Sequence, residues 1–416
     1  MLKNFSLQEK SWIMYDWANS AYSVIVTATI LPIFFKTMTK DAGISSHMAD
    51  AYWGYATSLA TLLLAVMAPV LGTLGDYRNL KMGMFKVFFV IGVVATAALA
   101  FTDQWVYLII FYVLSIIGFS GANLFYDAFL VDVTSKERMD RVSTYGFALG
   151  YIGGSTIPFI IAILLIMFGK NIGIPALLGT KVSFLITAVW WVLFALPLLK
   201  NVKQVYFLER EPNLIKNSFK RLFNTLLNVK KYRHIFLFLL AYFFYIDGVN
   251  TIIHMATVYG DSVGLGTNTL MLAMLATQIV AFPCAIIYGI LAKRFGSSSM
   301  ILFGIIVYII ICYLAYKMET AFDFWLLAML VASSQGGIQA LSRSYFGKMV
   351  PKENANEFFG FYDIFGKFAA IMGPALYGLF SQLTGQSRYG VLSVMILFVI
   401  GGGIFIFSLR DTRGRV

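Results

Sequence analysis

The stretch YDWANSAYSVIVTATILPIFF, residues 15–35, decides how this chain is read. It is long enough to cross a bilayer, because a helix needs about 20 apolar residues to span the hydrocarbon. Yet one end of it holds Asp16 and Asn19. On a helix the offsets i, i+3, i+4 and i+7 share a face, so Asp16, Asn19, Ser20 and Ser23 form one stripe, which Thr27 extends. A charge facing hydrocarbon costs at least ~3 kcal/mol. The stripe is therefore predicted to turn away from lipid, toward water or protein partners.

The rest of the chain is of the same kind. It is 59% hydrophobic and only 12% charged, with a mean hydropathy of +0.78, whereas soluble domains carry about 25% charged residues. Apolar runs recur near 12–36, 51–75, 84–101, 105–132, 142–169, 179–199, 234–260, 268–292, 299–316, 324–349, 356–383 and 389–409. These predict an all-α polytopic membrane protein with twelve transmembrane helices. The first run is not expected to be a cleaved signal peptide: it is too long, it holds Asp16, and no small-residue cleavage site precedes the next span. Cys284 and Cys312 both fall inside spans, so no disulfide framework is indicated.

A formal net charge of +12 could point to nucleic acid, so the placement of the charge decides the matter. With the N-terminus in the cytoplasm, 24 of the 32 Lys and Arg fall on the inner side. Six lie outside (Lys36, Lys40, Lys170, Lys181, Lys317 and Arg388), and Arg343 and Lys367 lie within spans. This is the positive-inside pattern, and it predicts both termini in the cytoplasm. The basic surplus then implies contact with anionic lipid, and no nucleic-acid partner.

The longest polar interruption separates six spans from six, dividing the chain into bundles at 1–200 and 234–416 with a cytoplasmic linker at 201–233. Within it, IKNSFKRLFNTLLNVKKY puts Ile215, Phe219, Leu222, Phe223 and Leu226 on one helical face, with Lys216, Lys220, Lys230 and Lys231 mostly elsewhere. This reads as an amphipathic helix along the inner leaflet, or else as a solvated linker helix. The halves echo one another: GTLGD (72–76) in GILAK (289–293), DWANS (16–20) in DGVNT (247–251), TSKE (134–137) in VPKE (350–353). Three echoes at equivalent spans predict a duplicated six-helix unit, two pseudo-symmetric bundles in the layout of major facilitator transporters.

Polar stripes recur on spans 1, 4, 7 and 10: Asp247, Asn250, Thr251 and His254 in the seventh, Ser120, Asn123 and Asp127 in the fourth, Gln335, Gln339 and Arg343 in the tenth. They either glue helices together by hydrogen bonds or line a shared cavity, and their spacing on every third helix favours the cavity. The candidate substrate-binding residues are Asp16, Asn19, Asn123, Asp127, Asp247, Asn250, Gln339 and Arg343. Carboxylates on one wall suit an ammonium and the Arg343 fork suits a carboxylate, a combination that fits a zwitterion. A carboxyl withdrawn from water is also easier to protonate, which makes Asp16, Asp127, Asp247 and Asp363 candidates for proton coupling. Arg343 has an equal alternative in a permanent ion pair with Asp127 or Asp363. His254 reads as a hydrogen-bonded wall residue before a proton relay. Asp363 and Lys367, four residues apart, read as an intrahelical salt bridge, with Lys367 otherwise a second anion site. Gly146, Gly150 and Gly154 form a packing face, while Pro158 and Gly373-Pro374 suit kinks.

GTLGDYRNLK (72–81) resembles the major facilitator loop between helices two and three, with Asn79 where that pattern has glycine and Tyr77 where it has a basic residue. The resemblance implies that Gly72, Asp76 and Arg78 pack at a cytoplasmic gate, with Lys293 the mirror of Asp76. YDWANSAY (15–22), FYDAFLVDV (125–133), RVSTYGFALGYIGG (141–154), QGGIQALSRSYFGKMVP (335–351) and EFFGFYDIFGK (357–367) resemble the vacuolar amino-acid effluxers linked to autophagy and their bacterial relatives. That resemblance implies efflux or exchange of amino acids by alternating access. The chain lacks the long loops of the fungal members, so a prokaryotic plasma membrane is expected before a vacuolar one.

Other classes are disfavoured. The phosphate-binding pattern GxxxxGK[ST] does not occur, which counts against a primary pump. Neither HExxH nor a His/Cys cluster is present, so no metal, no cofactor and no enzymatic activity is expected. The partners expected are a small-molecule substrate and membrane lipids, and the chain is expected to act as a monomer. The alternatives are a carrier of organic anions, sugars or lipophilic cations, or a sensor that does not transport.

Overall fold

Twelve helices long and apolar enough to cross a membrane run through the residues that the computed structural model describes, 2–227, 231–262, 267–369 and 371–413. They are α1 (Leu7–Asp41), α2 (Ala51–Gly75), α3 (Leu80–Phe101), α4 (Trp105–Val133), α5 (Met139–Ile172), α6 (Ala176–Asn201), α7 (Arg233–Ala256), α8 (Leu272–Phe295), α9 (Ser297–Tyr316), α10 (Ala321–Met349), α11 (Lys352–Thr384) and α12 (Ser387–Arg410). The expected spans are all present. Lys230 and Arg415, counted above on the inner side, lie outside the described residues.

The helices bend where their sequences dictate. α1 opens on a capping box: the Ser6 hydroxyl accepts from the Glu9 amide at 3.1 Å, and the Glu9 carboxylate accepts from the Ser6 amide at 2.8 Å. Its middle, Ser23–Ala28, is a π-turn, and Thr29 donates back to the Val24 carbonyl. A second π-turn, Gly150–Thr156, interrupts α5 just before Pro158. α11 is broken into Ala355–Phe368 and Met372–Thr384, with Pro374 inside the start of the second piece. π-turns and prolines both disturb the i→i−4 ladder, which is why the bends fall there.

Two compact units result. The first is Met1–Thr134, Leu149–Ser218 and Lys352–Gly360; the second is Ser135–Ala148, Phe219–Pro351 and Phe361–Val416. They differ from the sequence halves at 1–200 and 234–416, because the opening turns of α5 belong to the second unit and those of α11 to the first. In the first unit α3 lies so close to α4 that a methyl at Gly118 would fall 2.2 Å from the Gly92 nitrogen. Trp12 stacks on Tyr126 at 4.5 Å and donates its indole N–H to that residue's carbonyl at 2.8 Å. In the second unit α7 packs along α12, where Gly248 meets the Phe398 ring that stacks on Tyr308. Small residues and interlocking rings replace the hydrophobic effect here, since lipid is as apolar as the helix faces it would leave.

The linker contains a helix, Leu214–Leu227. Ile215, Phe219, Phe223 and Leu227, spaced by four, are all more than half exposed along one side of it.

Candidate functional site

Each unit carries its own polar cluster. In the first, the Asn19 side-chain amide donates to Asn123 Oδ1 at 2.8 Å, joining the stripes of α1 and α4. Asp16 and Asn19 are buried, while Asn123 and Asp127 are half-buried one turn apart on α4. Ser20 donates to the Asp16 carbonyl at 2.7 Å. α5 can reach this spot only because it presents glycine: a methyl at Gly150 would lie 2.7 Å from the Ser20 hydroxyl, and one at Gly154 would lie 2.6 Å from the Ser20 Cβ. Of the three glycines read as a packing face, Gly150 and Gly154 receive the α1 stripe, while Gly146 belongs to the second unit.

The second unit repeats the arrangement. Asp247 and Thr251 stand one turn apart on α7 and meet Gly373 of α11, where a methyl would fall 1.8 Å from the Thr251 hydroxyl. The D-x-x-N-[ST] echo therefore sets its serine or threonine against glycine in both units, beside the Asp16 carbonyl in the first and the Asp247 carboxylate in the second. Asp247, however, is fully buried, and both its oxygens accept from the Gly373 amide at 2.9 Å. The stripe reading has this carboxylate facing a cavity. The structure has it capping the second piece of α11, where unpaired amides carry positive charge. On the same unit Asn250 and Gln339 are half-buried, Gln339 donating to the Gln335 carbonyl at 3.1 Å, and His254 is exposed. Asp363 and Lys367 form the expected salt bridge.

Arg343 is 4% exposed. Its Nε donates to the Ser143 hydroxyl at 3.0 Å, its Nη2 to the Ser143 carbonyl at 3.3 Å, and its guanidinium lies 4.5 Å from the Phe147 ring centroid. Ser143 in turn donates to the Ala340 carbonyl at 2.8 Å. The fork expected to hold a substrate carboxylate holds the opening turns of α5. Three residues earlier, Asp140 pairs with Lys348 and accepts from Ser297 and Ser344, each at 2.7 Å. Gly289 of α8 completes this junction, since a methyl there would meet the Thr144 hydroxyl at 2.2 Å.

The first unit has the counterpart junction. Gly72 of α2 abuts the Asn356 carbonyl, 2.5 Å from where a methyl would stand. Asp76 accepts from the Asn356 amide at 2.9 Å, its side chain at 3.1 Å and the Glu357 amide at 3.4 Å, capping the first piece of α11. Arg78 is exposed and pairs with Glu209 at 3.2 Å, and Lys293 is exposed on α8. The mirrored positions are therefore Gly72 and Gly289; Lys293 does not repeat the part played by Asp76. Beneath this junction Lys81 and Asp132 form a fully buried ion pair at 2.6 Å, whose other oxygen accepts from the amides of Val205 and Tyr206.

Sequence reasoning left Asp140, Ser143, Lys348, Asn356, Lys81 and Asp132 out of the site. Lys81 and Asp140 fall between the predicted spans and the others at span ends, where a charge, amide or hydroxyl reads as solvated, and only their partners reveal them. Among the described residues no three His, Cys, Asp or Glu side chains are grouped as a metal would require.

The chain matches the family described as vacuole effluxer Atg22 like over residues 8–416. A Bacillus subtilis protein named as an uncharacterized MFS-type transporter, YxiO, is 54% identical over all of this chain and 98% of its own length. Autophagy-related protein 22 of Saccharomyces cerevisiae is 22% identical, covering 98% of this chain and 92% of that protein. Among solved structures, the human organic anion transporter MFSD10 superposes with a TM-score of 0.71 at 10% identity, covering 96% of this chain and 98% of that one. A bacterial homologue of the iron transporter ferroportin in an outward-facing state gives 0.71 at 13% identity, covering 97% and 100%.

Proposed function

This chain belongs to the family of Atg22-like vacuole effluxers, secondary transporters of the major facilitator type, and from that premise we propose that it carries amino acids, outward or in exchange, by alternating access. The observation that carries the reading is the α1–α4 cluster. The Asn19–Asn123 hydrogen bond brings Asp16 and Asp127 onto neighbouring helices inside a membrane-spanning unit. Two carboxylates and two side-chain amides supply acceptors for an ammonium, and their low-dielectric setting favours a cationic guest. We place proton coupling at Asp16 and Asp127, the two carboxylates whose helices the Asn19–Asn123 hydrogen bond joins.

Arg343 and Asp76 take a different part in this proposal. Each binds the opening turns of a fifth helix of the repeat, α5 or α11, and these two junctions are the places that must loosen and re-form as access alternates. The charge bias puts both termini in the cytoplasm, and the whole-length likeness to a Bacillus protein supports a prokaryotic plasma membrane. The linker helix then lies on the anionic inner leaflet with Phe219 and Phe223 in the acyl boundary, and one chain suffices for transport.

The test is uptake of a pooled set of labelled amino acids into proteoliposomes, with and without an imposed pH gradient. Gradient-driven accumulation is expected, and Asp127→Asn is expected to abolish the response to the gradient. Accumulation indifferent to the gradient removes the protons from the proposal. No uptake by correctly inserted protein removes the amino acids and turns the search to organic anions, sugars and lipophilic cations.

A further inference from the structure

The second unit holds a cleft of about 110 Å³ between α7, α8, α9, α10, α11 and α12. It lies at the end of the unit where α10 begins. Gln335 on its wall is eight residues from Arg343, about 12 Å along the helix. Its walls are apolar, with Phe324, Leu327, Val391 and Val394 among them, and no Asp, Glu, Lys or Arg is among the described residues that line it. A cavity of this size approaches that of apolar cavities that take a benzene-sized molecule.

Three polar atoms break the apolar lining. Gln278 Oε1, Gln335 Nε2 and the Tyr377 hydroxyl are buried and find no hydrogen-bond partner among the described residues. Gln335 is 3% exposed and Tyr377 7%, so neither is a surface group turned to solvent. Buried polar groups are overwhelmingly satisfied, so three exceptions around one cleft point to a bound group that completes them. Here one acceptor, one donor and one hydroxyl that can do either belong to residues lining a common space. A fourth lining group, the Thr251 hydroxyl, donates to Asp247 and so closes the floor.

We propose that this cleft is a binding site for a neutral amphiphile: an apolar body carrying one hydroxyl, carbonyl or amide that completes the hydrogen bonds of Gln278, Gln335 and Tyr377. Charge is disfavoured by the same geometry, because an ion here would lose its water and find no counter-ion among the described residues that line the cleft. A zwitterionic amino acid does not fit it. The site belongs to the second unit and the α1–α4 cluster to the first, and the proposal stands independently of the amino-acid reading.

The test uses 3-azioctanol, a neutral photoactivatable alcohol, on the full chain reconstituted in liposomes, with labelled positions mapped by mass spectrometry. Labelling is expected to saturate, to concentrate on α8, α10 and α11 residues such as Met274, Phe324 and Tyr377, and to be competed by 1-octanol. Gln335→Leu and Tyr377→Phe are each expected to weaken the competition about tenfold through the lost hydrogen bond, while Ala328→Phe, which fills the cleft, reduces labelling without touching the polar trio. Labelling that rises linearly with probe and spreads over lipid-facing Phe303 and Ile306 would mean membrane partition only, and overturns the site. Saturable labelling equal in wild type and both polar variants overturns the assigned head-group contacts. Amino-acid uptake by the same liposomes reports separately on the proposed transport.

Discussion

Both carboxylate oxygens of Asp247 lie 2.9 Å from the amide nitrogen of Gly373, 126 residues further along the chain. Gly373 is the residue that makes this approach feasible, since a methyl in its place would stand 1.8 Å from the Thr251 hydroxyl and 2.8 Å from Asp247 Oδ1. Gly373→Ala is expected to destabilise the protein by about 1–3 kcal/mol through overpacking and loss of the cap. Gly378→Ala on the same helix, with nothing within 4 Å, is expected to be neutral or stabilising by up to about 1 kcal/mol. Thermal unfolding of the two variants in one detergent compares them directly; equal melting points would mean that the cap does not matter.

Asp76 accepts three hydrogen bonds while fully buried, so its truncation leaves the α11 N-terminus bare. Asp76→Ala is expected to cost about 2 kcal/mol or more, and Asp76→Asn less, because one acceptor oxygen survives. Arg78→Ala, by contrast, removes a pair whose side chains are 53% and 73% exposed. It should cost less than about 0.5 kcal/mol. A fall in melting temperature for Arg78→Ala as large as that for Asp76→Ala would contradict this ranking.

The two junction glycines predict different rescues. At Gly289 the obstacle to a methyl is the Thr144 hydroxyl, a side-chain atom, whereas at Gly72 it is the Asn356 carbonyl, a backbone atom. Thr144→Ala should restore most of the transport rate lost in Gly289→Ala. Asn356→Ala should restore none of that lost in Gly72→Ala. Uptake rates of the four variants and two double variants decide it, and rescue at both glycines would refute the backbone contact.

Lys81 and Asp132 are paired with both side chains at 0% exposure. Breaking such a pair strands a charge, so Lys81→Met is expected to cost about 3–5 kcal/mol. Because Asp132 also accepts from the amides of Val205 and Tyr206, the linker segment should loosen with it. Limited proteolysis near residue 205 should accelerate in Lys81→Met; unchanged cleavage would show that the linker is held by other contacts.

The exposed stripe Ile215, Phe219, Phe223 and Leu227 is expected to rest in the headgroup boundary of an anionic leaflet. A tryptophan at position 223 should be quenched by lipids brominated near the carbonyl, and should become less quenched when the acidic lipid is removed. Quenching absent in both mixtures would leave the helix in water.

Much of this protein is legible in the chain itself. Twelve spans, the bends at Pro158 and Pro374, the linker helix, the repeated unit and the Asp363–Lys367 pair all follow from patterns no longer than one helix or from a comparison of two short strings. Hydropathy and 3.6-residue periodicity are local properties, so the sequence carries them in full. The choice of partners is not local. Which way Asp247 turns depends on where the break in α11 places the Gly373 amide. Whether the Arg343 fork meets a solute or Ser143, 200 residues away, depends on the opening turns of α5 joining the other unit. Asp140 and Lys81 read as loop charges until their neighbours arrive. The chain alone determined that polar faces must turn away from lipid, because desolvating a charge there is too costly. Only tertiary packing, which fixes helix rotation and brings remote residues within 3 Å, decided what each of those faces would meet.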